Sequence, residues 1–388
     1  MSSDQPFKAD ILIVDDTPAN LRLLSQMLVG QGYEVRAVTS GARALESVGV
    51  SAPDLILLDI KMAEIDGYEV CQRLKEDERS RDIPVIFISA LDDIQDKITA
   101  FNVGGVDYIT KPFQLEEVLA RLETHLHLRQ LQRYLEDTNK KMAHELEMAA
   151  KMQQNFLPHE LPKIPGYELI AALKPARETS GDFYDVYELT DGRYGILIAD
   201  VVDKGVAAAL FMVLSWSLIR TYAREHPGHP EQVFEAVNQR LLLDTEARQY
   251  VTAFYGVLDP HNGELVYSNA GHLPPLLANQ ADSSLQKLER TGIPLGIFEG
   301  QTWNRAKVSI SPGELLVCYT DGVPDAQNMQ GEFFSEERLL AAIQNRLSQS
   351  PRQIQTGLLE DIASHMDEAD QFDDIAIIVM RREAGESA

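Results

Sequence analysis

Along the first third of the chain, short apolar runs rich in β-branched residues alternate with amphipathic stretches. The runs at 11–14, 34–38, 55–58, 85–88 and 106–109 predict strands, and the stretches opening near Pro18, Gly41, Gly67, Asp93 and Gln114 predict helices. Continuous apolar strands separated by helices indicate a parallel sheet covered on both faces. From Gln114 the pattern stays helical, without Gly or Pro, until Pro158, which is longer than a compact domain needs. Beyond Pro158, Pro162 and Pro165, strands are predicted at 169–173, 183–189 and 194–202, then helices at 206–224 and 231–243. Strands return at 251–258, 264–269, 276–278, 306–310 and 315–319, followed by two helices within 336–366 and a last strand at 375–381. That order predicts a layered α+β sandwich. The chain therefore divides into an α/β domain at 1–122, a helical linker at 123–157 and an α+β domain at 158–388.

Within the linker, Leu128, Leu131, Leu135, Thr138 and Met142 follow heptad spacing, which resumes at Leu146, Ala149, Gln153 and Phe156 after a phase slip. Such a slip locally unwinds a coiled coil, and polar Thr138 and Gln153 on the seam weaken pairing. The pattern favours a parallel, weakly paired dimeric linker that passes a signal. The competing reading is a single helix packed on its own domains.

Composition narrows the options. Hydrophobic content of 44% and charged content of 24% are ordinary for a globular protein, but a net charge of −25 is not. It argues against a nucleic-acid output, which needs a basic face to neutralise phosphates. Cys71 and Cys318 lie in separate apolar segments and read as free thiols in a reducing cytoplasm. No basic-then-apolar leader opens the chain, and the apolar run at 206–216 is too short to span a bilayer. A soluble, cytoplasmic protein without a membrane or nucleic-acid partner is expected.

The chemistry collects where strands end. In a parallel sheet, ligands sit beyond the carboxyl ends of the strands. Here those ends carry Asp15 and Asp16, then Asp59, then Ser89, then Lys111. The acids could bind Mg²⁺ with one free to attack a phosphoryl group, while the hydroxyl and ammonium take up phosphate oxygens. With Ile13–Val14–Asp15–Asp16, Leu58–Asp59–Ile60–Lys61–Met62, Ser89–Ala90 and Tyr108–Ile109–Thr110–Lys111–Pro112 in this order, the segment resembles a response-regulator receiver domain, a flavodoxin-like fold. The resemblance implies that Asp59 accepts phosphate from a sensor histidine kinase. It implies Mg²⁺ on Asp15, Asp16, Asp59 and the Lys61 carbonyl, Ser89 and Tyr108 as switch residues, and Lys111 on the phosphoryl group. Ala63 stands where the family usually has proline.

In the carboxy-terminal segment, Asp182, Asp185, Asp200 and Asp203 flank two strand-like runs, and Asp321, Asp373 and Asp374 again fall at strand edges. Clustered carboxylates repel one another unless a cation lies between them, and hard divalent cations prefer oxygen. A two-cation cage favours in-line attack on a phosphate ester. No Ser–His–Asp or Cys–His arrangement competes, and His272, in a Gly/Pro turn, is expected to support its loop. The motifs Lys151–Met152–Gln153–Gln154–Asn155–Phe156–Leu157–Pro158, Ser180–Gly181–Asp182–Phe183–Tyr184–Asp185, Ala199–Asp200–Val201, Asn269–Ala270–Gly271–His272, Gly292–Ile293–Pro294–Leu295–Gly296, Tyr319–Thr320–Asp321–Gly322–Val323 and Asp373–Asp374–Ile375 make this segment resemble the metal-dependent PPM serine/threonine phosphatases of the sporulation and stress-response branch.

That resemblance implies two Mn²⁺ or Mg²⁺ ions bridged by Asp200, with the Val201 carbonyl, Asp182, Asp321 and Asp373 completing the set and Asp374 the alternative to Asp373. It implies a phosphorylated anti-sigma-factor antagonist as substrate in a partner-switching pathway. Two positions depart from the pattern. Asp203 replaces a glycine where the backbone is expected to need positive φ, which Asp tolerates better than most residues. Ala376 replaces a hydroxyl residue. The expected function is a phosphatase switched by its receiver; the alternative is a catalytically weak adaptor that keeps the phosphatase fold, for which Asp203 is the main support.

Overall fold

The computed structural model describes residues 7–90, 94–158, 160–244 and 249–384. Compactness divides the chain into Met1–Lys141 and Met142–Ala388, a boundary that falls inside one helix.

The amino-terminal unit runs β1 (Asp10–Val14), α1 (Pro18–Val29), β2 (Glu34–Val38), α2 (Gly41–Val50), β3 (Leu55–Asp59), α3 (Gly67–Glu76), β4 (Val85–Ser89), α4 (Ile94–Asn102), β5 (Asp107–Thr110) and the start of α5 (Leu115–Gln154). Its strands pair in parallel in the order β2-β1-β3-β4-β5. Side chains alternate across the sheet: Leu12, Val14 and Leu58 pack with Cys71 and Leu74 of α3, whereas Ile11, Ile13 and Leu57 pack with Leu24 of α1 and with Val118 and Leu122 of α5. Both faces are covered, so the strands read as unbroken apolar runs. The strand order reverses between β1 and β3, and beyond their carboxyl ends lies the crevice where such sheets bind ligands.

The 40-residue α5 begins on this sheet and ends in the other unit. Leu128, Leu131, Leu135 and Met142 are exposed on it. Gln153, expected on the same seam, is instead buried within the carboxy-terminal unit.

That unit continues with β6 (Tyr167–Lys174), β7 (Phe183–Glu188), β8 (Tyr194–Val201), α6 (Val206–Glu225), α7 (Pro230–Asp244), β9 (Val251–Asp259), β10 (Glu264–Ala270), β11 (Leu276–Ala278), β12 (Leu285–Lys287), β13 (Ala306–Ser309), β14 (Leu315–Tyr319), α8 (Ser335–Gln344), α9 (Pro351–Met366) and β15 (Ile375–Arg382). Two five-stranded sheets form, β13-β10-β9-β8-β7 and β12-β11-β14-β15-β6, with antiparallel pairing throughout. Period-two alternation gives each strand two destinations. Ile196, Ile198 and Phe254 meet Cys318, Ile378 and Met380 between the sheets. Leu197 and Ala199 face Phe211, Met212 and Ile219 of α6 and Phe234 of α7, and Val317 and Ile377 face Ile343 of α8 and Leu358 of α9. The result is an α/β/β/α sandwich. The short β12 carries one apolar residue, Leu285, beside Gln286 and Lys287 and so leaves no strand signal in the sequence, unlike the equally short but wholly apolar β11.

Helix α6 runs past the expected apolar stretch to 20 residues, long and apolar enough by length and composition to cross a membrane. Its Ala208, Phe211, Met212, Ile219 and Ala223 are buried in the sandwich.

Candidate functional site

In the amino-terminal unit, Asp15, Asp16 and Asp59 each bring an oxygen within 4.8 Å of the others, the one such acidic triad among the described residues. Asp15 and Asp59 are buried and Asp16 is exposed. Lys111 extends from the loop after β5 and donates to Asp15 Oδ2 and Asp59 Oδ2, both at 3.0 Å. The second Asp15 oxygen accepts the Thr17 amide at 2.8 Å, which fixes that carboxylate at the strand end. Burial raises the Asp59 pKa above the usual carboxylate value, with Lys111 opposing. Ser89 is buried at the end of β4; Lys61 lies two residues past Asp59 with an exposed side chain. Tyr108 sits in β5 with the Lys97 ammonium 4.6 Å and the Arg121 guanidinium 5.4 Å from its ring centre. All the residues named for this rim therefore lie at the carboxyl edge of the sheet, except that Tyr108 stands within β5.

In the sandwich, each sheet contributes acids to the same end. Asp182 precedes β7 and Asp200 closes β8; Asp321 follows β14 and Asp373 precedes β15. Close approach requires glycine beside two of them. A Cβ on Gly181 would lie 3.0 Å from the Val201 carbonyl oxygen, and one on Gly322 would lie 1.9 Å from that of Asp374. The carboxyls raise one another's pKa. Asp182, fully buried, is pushed well above the usual range by burial and then by Asp200. Asp200 is pushed up to about 7 by burial and then by Asp321, and Asp321 to about 6 by burial and then by Asp373. Such acids are costly without a compensating charge.

The neighbours Asp373 and Asp374 do different things. Asp374 accepts the Ala176 amide on Oδ1 at 2.7 Å and the Gly181 amide on Oδ2 at 2.8 Å. Asp373 faces Lys204, whose Nζ lies 3.1 Å from its Oδ2. Asp374 is thus engaged in holding two loops, whereas the Asp373 carboxylate accepts only its neighbour's amide on Oδ1 at 2.9 Å and turns Oδ2 to Lys204 beside Asp321.

Several expectations meet a clear answer. Asp185 lies inside β7 and is no part of the acid cluster; its Oδ2 accepts from Trp216 Nε1 at 2.9 Å, with Arg220 at 3.4 Å. His272 is buried, with Nδ1 2.9 Å from Thr252 Oγ1, and burial lowers its pKa to about 4. It supports its loop as a neutral ring. Asp203 has φ +74° and is exposed, so it takes up the conformation of the glycine it replaces. Opposite Ala376, the buried Thr320 hydroxyl accepts the Ala376 amide at 2.9 Å and also lies on the Asp182 carboxyl. Thr320 and Lys204 take no role from the sequence, and Gln153 is assigned there to the linker seam instead of to this domain. Only the position of Thr320, directly before Asp321, hinted at a role.

The donor set fits hard divalent cations. All side-chain donors are carboxylate oxygens, and the buried Asp182 Oδ2 has no hydrogen-bond partner. Asp182, Asp200, Asp321 and Asp373, with the Val201 carbonyl, are the groups that could hold them.

Comparison with known proteins is decisive for the family. The model of stage II sporulation protein E (SpoIIE) matches residues 190–383, half of the chain. The chain belongs to the SpoIIE family. Asp200, Asp321 and Asp373 fall inside that match, while Asp182 precedes it. The response regulator receiver domain model matches residues 11–123, so a receiver stands before the SpoIIE-family domain. Over 264 residues the chain is 36% identical to protein IcfG of Synechocystis, covering 61% of this chain and 41% of IcfG. It therefore spans less than half the length of that relative. Over 241 residues it is 28% identical to phosphoserine phosphatase RsbU of Bacillus subtilis, covering 61% of this chain and 70% of RsbU. The SiaA-PP2C domain of Pseudomonas aeruginosa shares the fold, with a TM-score of 0.57 at 21% identity over 63% of this chain and 98% of that one.

Proposed function

We propose that the receiver, phosphorylated on Asp59 by a sensor histidine kinase, controls a metal-dependent protein serine/threonine phosphatase. One observation carries the catalytic half: Asp182 is buried with an unpartnered oxygen beside three further acids drawn from both sheets. Two Mn²⁺ or Mg²⁺ ions held there would neutralise the acids and supply activation of water for in-line attack on a phosphate ester. The chain's own groups set the geometry. Asp374 fixes the loop before β7, Thr320 steadies Asp182, and Lys204 holds Asp373 at the rim.

The similarity to RsbU, a phosphoserine phosphatase, supports a phosphorylated protein as substrate. Within the family resemblance that substrate is an anti-sigma-factor antagonist in a partner-switching pathway, in the cytoplasm. On the receiver side, the Asp15, Asp16 and Asp59 oxygens, with the Lys61 carbonyl, suit one Mg²⁺, and Lys111 already reaches Asp59. Exposed Leu128, Leu131 and Leu135 on α5 support a homodimer through the linker.

Hydrolysis of an aryl phosphate with Mn²⁺ tests the reading, with Asp200→Ala and Asp59→Ala as controls. The enzyme requires activity that Asp200→Ala abolishes and that a phosphodonor changes only when Asp59 is present. Equal, negligible activity in the wild type and Asp200→Ala would instead favour the adaptor. Asp203 gives that alternative no further support, being exposed and accommodated at positive φ.

A further inference from the structure

The last turn of α5 reaches into the SpoIIE-family domain with a side chain whose bonds are all to one residue. Gln153, penultimate in the helix and 7% exposed, donates through Nε2 to the Ser180 carbonyl at 2.5 Å and accepts the Ser180 amide on Oε1 at 3.0 Å. This two-point amide pair engages both backbone groups of Ser180, in the loop before β7. Ser180 is itself buried, and the Ser180 hydroxyl donates to the Asp182 carbonyl at 3.1 Å. The next amide, Gly181, goes to Asp374, and Gly181 packs on the Val201 carbonyl. Every residue of the Ser180–Gly181–Asp182 loop is therefore fixed by a hydrogen bond, and the hold on Ser180 comes from outside the sandwich.

The helix end is also fixed beside this pair. Phe156, just past α5, meets the Trp216 ring edge-on at 5.6 Å, and Trp216 is bonded to Asp185 in the strand that follows Asp182. At its other end the same helix is tied to the receiver by buried Arg129, which donates to the carbonyls of Pro53 and Asp54. A continuous α-helix transmits rotation and axial shift, because each turn is hydrogen-bonded to the next. A paired amide with bonds of 2.5 and 3.0 Å tolerates little of either before it opens.

We propose that Gln153 is a positioning residue for the Asp182 loop, and that α5 acts on the cation site by making or breaking its amide pair with Ser180. The inference rests on the phosphatase reading above and names the point of control. In one state Gln153 holds Ser180 and so places the Asp182 carboxylate toward Asp200. In the other the pair opens, the buried Ser180 amide and carbonyl lose their partners, and the loop relaxes.

The test uses the full chain with Gln153→Ala, Gln153→Glu and Gln153→Met. Glutamate keeps an acceptor for the Ser180 amide but turns a carboxylate on its carbonyl. Methionine fills the same space without an amide, so it separates loss of the pair from loss of packing. Mn²⁺ binding is measured by calorimetry, aryl phosphate hydrolysis as kcat and KM, and the phosphodonor response as the ratio of rates with and without it. Each folded variant is expected to bind Mn²⁺ about 10-fold more weakly or worse, as for other residues that orient metal ligands. The KM at saturating Mn²⁺ should stay near the wild-type value, and the phosphodonor ratio should fall toward one. Wild-type Mn²⁺ affinity in a folded Gln153→Met protein would overturn the proposal, whatever the catalytic assay shows. If the wild type proves inactive, the phosphatase reading fails and the Mn²⁺ titration still judges Gln153.

Discussion

The Gly181 amide donates to Asp374 Oδ2 at 2.8 Å, tying the loop that opens β7 to the loop that opens β15. The two strands belong to different sheets, so this bond closes the sandwich at its acidic end. Asp374 also holds the Ala176 amide, and hydrogen bonds to a charged acceptor contribute about 1.5–3 kcal/mol each. With two such bonds lost, Asp374→Ala is therefore expected to cost about 3–6 kcal/mol of stability in chemical denaturation. Asp373→Ala should behave in the opposite way. It removes a repelling charge beside Asp321, leaves the metal-free stability nearly unchanged, and abolishes both Mn²⁺ stabilisation and hydrolysis. Denaturation curves of the two variants, each with and without Mn²⁺, separate a loop clamp from a ligand.

A second expectation follows from the acids themselves. Asp182, Asp200 and Asp321 have folded pKa values raised by burial and mutual repulsion, to about 7 for Asp200 and about 6 for Asp321. An unfolded carboxyl titrates near about 3.9, so between these values the folded state binds more protons than the unfolded one. Stability then falls as pH rises above about 4, with the loss from Asp321 complete at about 6 and that from Asp200 at about 7. The Tm of metal-free protein should drop from pH 5 to 8, and Mn²⁺ should restore it at the upper end by replacing the protons. A flat metal-free profile, unmoved by Mn²⁺, would contradict the cage.

Much of this was legible in the chain because the physics is local. Runs such as Ile11–Leu12–Ile13–Val14 can only be strands buried on both faces, and alternation in β8 sends Ile196 and Ile198 one way and Leu197 and Ala199 the other. Acids at the ends of such runs announce a site. What alternation does not encode is which of two adjacent acids turns to a backbone amide: the preference for Asp373 over Asp374 came from the family resemblance, and the bonds of Asp374 to Ala176 and Gly181 supply its physical cause. Gln153 was misread for a related reason. Heptad spacing places it on the seam of a coiled coil, but the partner that claims it, Ser180, lies 27 residues away. Asp203 was readable because αL backbone is a local property.

His272 offers a limb of opposite sign. Buried and neutral, it has a folded pKa lowered to about 4, whereas an unfolded histidine takes up a proton near about 6.5. Its contribution is complete above the unfolded value and is lost as pH falls toward the folded one, about 3 kcal/mol in all. Because the acids gain stability over the same range, this limb is read as a difference: in urea denaturation from pH 7 down to 4, wild type should lose stability relative to His272→Gln. Thr252→Val, which removes the hydroxyl facing Nδ1, should lower stability without flattening the limb.

The linker carries the last expectation. Leu128, Leu131, Leu135 and Met142 repeat at heptad spacing along α5 and expose 51%, 45%, 59% and 58% of their surface in the single chain. In a parallel pair they become the buried seam, at about 25 cal/mol per Å² of apolar surface removed from water. Thr138 interrupts that seam, so pairing is expected to be weak enough to respond to the receiver. Leu131→Lys with Leu135→Lys should place four like charges along one interface and yield a monomer in sedimentation. Neither residue touches the acid cluster, so the variant should retain Mn²⁺ binding. If phosphodonor response disappears with the dimer while Mn²⁺ affinity persists, control runs through helix pairing; a fully responsive monomer would place it within one chain.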